Sequence, residues 1–251
     1  MLKEERQNFI LETLRKNGKV MAGELSRQFE VSEDTIRRDL RELANQGRML
    51  RVHGGGLPHS PAGISYTERL KQSPAVKTAL AREATRFIRN GQTIFLDSGT
   101  TTQQIAQLFP ADIRATVITN SPITAIELSQ HDLLDIIMVG GKINKEMRII
   151  TSSTALDAIR SIHADLCFLG ICSLDPIGGI SVVDYDEAAI KKAMIDGSDQ
   201  VVALAASEKL GTISPFRVGP ITDLDCLVTQ KDLADEILSP YMELGIEVIR
   251  G

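Results

Sequence analysis

Two stretches of the chain hold side chains whose type and spacing suit them to gripping anions. The first runs Ser32-Glu33-Asp34-Thr35-Ile36-Arg37-Arg38-Asp39-Leu40-Arg41. On a helical wheel centred on Ile36, Leu40 and Leu43 fall within about 40° of it, while Asp34, Arg37, Arg38, Arg41 and Asn45 spread between about 100° and 200°. An arginine arc opposite an apolar stripe can be a solvated face, or it can bind guanine O6 and N7 in two-point fashion and hold phosphates. The second stretch is Ser98-Gly99-Thr100-Thr101-Thr102. Where a strand, a glycine turn and hydroxyl side chains lead into a helix start, unpaired amides and the positive helix end point at an anion; the same pattern also serves as a well-capped turn.

Local signals position both stretches. Lys3 to Asn17 carries Phe9, Ile10, Leu11 and Leu14 and predicts an amphipathic helix stopped by Gly18. A short helix is expected from Ala22 to Phe29, with Leu25 and Phe29 as its inward pair. Ser32 is a good N-cap, Glu33 and Asp34 suit the first turn, and the third helix should end near Gln46 with Gly47 as its left-handed C′ residue. Met49-Leu50-Arg51-Val52-His53 alternates into Gly54-Gly55-Gly56, which predicts a β-hairpin wing with a flexible tip. Helix, turn, helix and wing together form a winged helix-turn-helix. Its expected DNA contacts are Ser32, Thr35, Arg37, Arg38 and Arg41, with Arg51 and His53 from the wing touching phosphate or the minor groove.

Pro58, Ser60, Pro61 and Gly63 mark a linker. The expected division is residues 1–57 for DNA binding, 58–74 for the linker and 75–251 for a second domain. From Ala75 strands and helices alternate. Strands are expected at Thr93–Asp97, Ala115–Thr119, Asp135–Val139, Leu166–Gly170, Gln200–Ala205, Cys226–Thr229 and Ile246–Ile249. Helices are expected at Thr101–Phe109, Pro122–Gln130, Ser153–Ile162 and Tyr185–Asp196. This rhythm predicts an α/β domain with a mainly parallel sheet covered on both faces. Open sheets of this kind bind ligands beyond the carboxyl ends of their strands. Asn120 and Ser121 after the second strand, and Gly140 and Gly141 after the third, therefore join the Ser98–Thr102 cradle as candidates.

Composition bounds the alternatives. Hydrophobic residues make up 43% and charged residues 24%, so a core can be buried. No apolar run approaches the ~20 residues that cross a bilayer, and the N-terminus lacks a signal-peptide core, so a cytoplasmic protein without a membrane partner is expected. Residues 1–58 carry 11 Lys and Arg against 9 Asp and Glu, a balance of +2; the rest carry 17 against 24, a balance of −7. An excess of +2 is too slight to imply DNA, so placement of the arginines carries that reading. Cys167, Cys172 and Cys226 lack metal-ligand spacing and read as thiols of a reducing compartment. Neither a metal nor a cofactor is expected.

Val31 to Leu40, then Gly47 and Arg51-Val52-His53-Gly54-Gly55-Gly56, resemble the signature of the DeoR family of bacterial regulators of sugar metabolism, and the likeness continues to about Thr229. The resemblance implies a second domain similar to ribose-5-phosphate-isomerase-like folds, binding a phosphorylated sugar. Asp184-Tyr185-Asp186-Glu187-Ala188-Ala189-Ile190-Lys191-Lys192 and Ser207-Glu208-Lys209-Leu210-Gly211 resemble the family's acidic-then-basic helix and lysine loop. Carried over by position, Glu187, Lys191 and Lys209 line the pocket and Asp97 accepts from sugar hydroxyls, although Lys191 or Lys192 could equally decorate an exposed face. The chain departs from the family at Ser152-Ser153 for Gly-Pro, at Gly179-Ile180-Ser181 for Gly-Leu-Thr, and at Ala205 or Ala206 for an Asp, changes expected to surround the pocket.

Three functions compete. One is a repressor of a carbohydrate-metabolism operon, acting as a homo-oligomer on a double-stranded DNA operator, modulated by a sugar phosphate and assigned no catalytic residue. Another is an isomerase-like enzyme using Asp97, Glu187 and Lys191 for proton abstraction beside a carbonyl. The third is a switch driven by oxidation of Cys167 and Cys172.

Overall fold

The structure, a computed structural model, describes residues 2–17, 19–46, 48–52, 54–57 and 65–251. His53, Gly18 and Gly47 of the expected wing and helix ends lie outside the described residues, as do residues 58–64 of the expected linker.

The N-terminal unit runs α1 (Lys3–Asn17), β1 (Val20–Met21), α2 (Ala22–Phe29), α3 (Glu33–Asn45), β2 (Leu50–Val52) and β3 (Gly55–Leu57). Ile10, Leu11, Leu14, Leu25, Ile36, Leu40, Leu43 and Met49 pack into one core. Phe29 is only half-buried and meets Phe9 edge to face at 5.2 Å between ring centroids. Between α2 and α3 the chain turns through Glu30, held in the left-handed region at φ 54°, while Ser26 Oγ donates to the Val31 carbonyl at 2.8 Å. Ser32 caps α3 by accepting from the Thr35 amide. The expected flexible glycine tip is in part a strand: Gly55 and Gly56 pair with both β1 and β2. A Cβ on Gly55 would lie 2.0 Å from the Val20 carbonyl oxygen, so glycine is what lets this third strand close up against β1.

The expected linker contains a helix. α4 (Tyr66–Lys71) starts with a capping box between Ser65 and Glu68, and its Tyr66 hydroxyl hydrogen-bonds Gln103 at 2.5 Å. α5 (Pro74–Ala84) follows. Next come β4 (Thr93–Leu96), α6 (Thr102–Gln107), β5 (Ala115–Thr119), α7 (Pro122–Leu128), β6 (Leu134–Met138), β7 (Ile143–Asn144), β8 (Ile149–Ile150), α8 (Ser153–Arg160), β9 (Leu166–Gly170), β10 (Ser173–Asp175), β11 (Gly179–Val182), α9 (Tyr185–Asp196), β12 (Val201–Leu204), β13 (Phe216–Gly219), β14 (Cys226–Thr229), α10 (Asp235–Met242) and β15 (Glu247–Arg250).

Seven parallel strands form the expected sheet in the order β15-β14-β12-β9-β4-β5-β6. Alternate strand residues feed two cores, Phe95, Cys167, Leu169, Ala203 and Leu227 on one face and Ile94, Leu96, Phe168, Val202 and Val228 on the other. Every expected strand of the sheet is present, with ends shifted by a residue at most. Beyond these expectations there is an antiparallel sheet in the order β10-β11-β13 and a β7-β8 hairpin. The fold is α/β with an N-terminal winged helix-turn-helix.

Candidate functional site

On α3 the burial pattern divides the residues as the wheel does. Ile36, Leu40 and Leu43 are buried, while Arg37, Arg38, Arg41 and Asn45 are exposed. Ser32 is exposed and Thr35 half-buried at the helix start, and Arg51 is exposed on β2. Arg37 pairs with Glu33 at 2.8 Å and Arg38 with Asp34 at 3.0 Å, each one turn back along the same helix. These exposed pairs hold the guanidinium groups at a worth of under ~1 kcal/mol each, little enough for a phosphate or base edge to displace. Asp39, in the midst of the arginines, points the other way: it is buried and accepts from Arg6 Nε at 2.5 Å. Lys3 and Gln7 reach Glu42 at 2.6 and 3.0 Å, so α1 braces the back of α3 along its length.

In the second unit a cleft opens where the strands β4, β9 and β12 end. Ser98, Gly99, Thr100 and Thr101 line one side, Glu187 and Lys191 of α9 another, and Lys209 with Glu208 a third. Among the described residues the amides of Gly99, Thr100 and Thr101 donate to no protein acceptor. They are the free donors the cradle needs; α6, only six residues long, adds little dipole. Gly170 lets the strand ends crowd together here, since a Cβ on it would stand 2.5 Å from the Ser98 carbonyl oxygen.

Other expected residues lie elsewhere. Asp97 is fully buried beneath the cleft rather than lining it. Its Oδ2 accepts from the Gly170 amide at 2.9 Å and from Lys191 Nζ, so the hydroxyl-binding role expected of it gives way to holding Lys191. Lys191 also donates to the Gly170 carbonyl at 2.8 Å and lies 3.5 Å from Glu187. Burial opposes the charge on Lys191, but Asp97 and Glu187 outweigh it and hold the ammonium above its ordinary pKa. Burial pushes the Glu187 carboxyl up, against the pull of Lys191. Lys192 faces away, paired with Asp196 at 2.7 Å and Asp223 at 3.2 Å, which settles which of the two lysines enters the cleft. Thr102 is buried and donates to the Gly99 carbonyl. Asn120, Ser121, Gly140 and Gly141 serve the scaffold beside it: Asn120 Nδ2 donates to the Ile150 carbonyl, Ser121 caps α7, and the Gly140 carbonyl accepts from Ser152. A Cβ on Gly141 would come within 1.9 Å of Ser152 Oγ.

The cleft also contains residues not anticipated from sequence. Arg69 and Gln72 enter from the former linker and Lys77 from α5, alongside Met147, Ile149, Ile171 and Cys172. Lys77 is buried and donates to the Arg69 carbonyl, and burial lowers its pKa and that of Lys209. One signal for Lys77 was available: with Leu80, Ala81 and Ala84 it occupies the buried stripe of α5, where a lysine without a polar task is expensive. Of the departures from the family pattern, Ala206 lines the cleft, while Ser152 caps α8 and Ser181 accepts from the Ser214 amide away from it. Cys167 and Cys172 form no disulfide. Cys167 is fully buried in β9 with its thiol pushed far up by burial, so it is not poised for oxidation.

Family comparison covers both units. The model of the DeoR-like helix-turn-helix domain matches residues 6–59 and that of the DeoR C terminal sensor domain matches residues 72–231. The chain belongs to the DeoR family. It is 31% identical over 246 residues to the HTH-type transcriptional regulator GolR of Listeria innocua, covering 97% of each chain. To the HTH-type transcriptional regulator GlpR of Haloferax volcanii it is 32% identical, covering 100% of this chain and 99% of the relative. To the glycerol-3-phosphate regulon repressor of Escherichia coli it is 33% identical, covering 91% of each. Among solved structures a D-ribose-5-phosphate isomerase in complex with phospho-erythronic acid aligns over 54% of this chain and 53% of its own, at TM-score 0.39 and 19% identity, too remote to speak to activity. This DeoR-family chain is therefore a DNA-binding transcriptional regulator. No described helix in the DeoR-family regulator is long and apolar enough to cross a membrane.

Proposed function

We propose that the chain represses an operon of carbohydrate metabolism and that a phosphorylated sugar in the cleft modulates its grip on the operator. Three residues with unpaired amides, Gly99, Thr100 and Thr101, line the same cleft as Lys77, Lys209 and Arg69, and that observation carries this reading. A phosphate monoester brings a charge of about −1.5 to −2 and three acceptor oxygens, which matches amide donors backed by cations. Glu187 supplies an acceptor for sugar hydroxyls, and Ala206 brings no negative charge to the cleft wall. Ser32, Thr35, Arg37, Arg38 and Arg41 contact DNA, aided by Arg51 and His53. The chain works in the cytoplasm as a homo-oligomer, because helix-turn-helix modules engage paired half-sites. Its DNA-binding unit spans residues 1–57, and its sensor unit begins at Ser65 rather than at residue 75.

The isomerase reading fares worse, since Asp97 is held by Lys191 and the Gly170 amide and is not available as a base at the cleft. The test is a thermal-shift screen of the full chain against a panel of pentose, hexose and triose phosphates. A ligand at ~100 times its dissociation constant should add ~2.7 kcal/mol of stability. The same ligand should shift operator binding in a gel-retardation titration by about 5 to 150-fold, the range of ordinary coupling energies. Silence across the panel would sink the sensor reading, and turnover of any member followed by NMR would revive the enzyme.

A further inference from the structure

The two edges of the seven-stranded sheet differ in character. β15 places exposed Glu247 and Arg250 at its ends, the kind of charge that discourages strand pairing. β6 reads Leu134-Asp135-Ile136-Ile137-Met138, with no lysine, no proline and no bulge in its register with β5. A strand this apolar in a parallel sheet is normally covered on both faces. Here Ile137 is 45% exposed and Met138 47%, with Ile143 of β7 at 48% and Ile126 of α7, which packs on β6, at 68%. Among the described residues no strand pairs with the outer side of β6.

We propose that β6 is the edge through which two copies of this chain join, the two strands running antiparallel across a two-fold axis at Ile137. An outward row of amides and carbonyls is satisfied by another strand, and two identical edges close on themselves only through a two-fold axis. Residues directly opposite one another must share a face, so the axis falls on a residue. An axis at Asp135 would set two carboxylates against each other. An axis at Ile137 sets Ile136 against Met138 and brings the exposed Asp132 of each copy toward the exposed Lys142 of the other. Asp135 meets Val139 in this register, and among axes on the residues of β6 it is the one at Ile137 that sets an acidic side chain opposite a basic one. The inference rests on the reading that the chain acts as an oligomer and adds where the copies meet.

Sedimentation velocity on the full chain tests it. The wild type should sediment as an oligomer, and Ile137→Lys, which puts two ammonium groups on the axis, should lose one association step and halve the mass. Because Ile137 is a surface residue in the single copy, the melting curve of that variant by circular dichroism should still show one cooperative transition. Ile137→Cys should form a covalent dimer under mild oxidation, since opposed residues in an antiparallel pair have Cα atoms about 4.5–5.5 Å apart, within disulfide reach. An oligomer that persists in Ile137→Lys, with no cross-link in Ile137→Cys, overturns the β6 assignment and leaves the oligomer reading standing. A monomeric wild type overturns both.

Discussion

Arg6 on α1 donates to Asp39 on α3 at 2.5 Å with both side chains buried, while Arg37, Arg38 and Arg41 around it face solvent. One acidic residue in the arginine run thus anchors the helix so that the others are presented outward. Removing one partner strands a buried charge, which costs about 3–5 kcal/mol, whereas replacing both by apolar residues is often neutral. Asp39→Ala should therefore lower the stability of the N-terminal unit by that amount in urea unfolding, and Arg6→Met with Asp39→Leu should recover most of it.

Replacing Arg37 and Arg38 by alanine should leave stability unchanged, because their ion pairs with Glu33 and Asp34 are exposed. Each arginine lost from a base edge should cost about 1–3 kcal/mol of operator affinity. Gel retardation against a melting control separates the two effects, and retained operator affinity would remove α3 from the interface.

Lys77→Met and Lys209→Met each delete a cation from the cleft. A hydrogen bond to a charged group is worth about 1.5–3 kcal/mol, so each variant should bind the sugar phosphate roughly 10 to 150-fold more weakly by calorimetry. Neither should alter operator affinity in the absence of ligand.

Ligand affinity should follow a bell in pH. It should rise through about pH 6, where a phosphate monoester takes its second charge. On the alkaline side it should fall before the ordinary lysine value of 10.5 is reached, because burial lowers Lys77 and Lys209 and only their protonated forms attract the anion. In the empty protein the sign reverses: these lysines are harder to charge folded than unfolded, so the cost of holding them charged is full below the lowered pKa and is relieved as pH rises through it. Calorimetric titrations and melting curves across pH check both limbs.

Lys191→Met should destabilise the sensor unit by about 3–5 kcal/mol, because Asp97 is left charged and buried without its cation. Adding Asp97→Asn should recover a substantial part, and denaturant unfolding measures both.

The sheet was legible in the sequence because its strands are short apolar runs closed by turn residues, as at Ala115–Thr119 and Cys226–Thr229. Helix α3 was legible because its stripe, cap and acidic first turn agree. The β10-β11-β13 sheet was not, since Ser173, Gly179, Ser181 and Gly219 interrupt the apolar pattern and β13 pairs with β11 across the whole of α9. α4 was missed because six residues carry too few periods to be told from a polar linker. The cradle could be placed from its strand, glycine and hydroxyls. The direction Asp97 faces could not, because it depends on Lys191, 94 residues away in sequence.

α4 belongs to the wall of the cleft through Arg69, and it begins directly after the stretch that follows the winged helix-turn-helix. Exchange of DNA readers between relatives therefore has a natural seam ahead of Ser65. A chimaera cut after Lys71 would carry off part of the cleft wall with the reader, and would leave the recipient a cleft with one side missing.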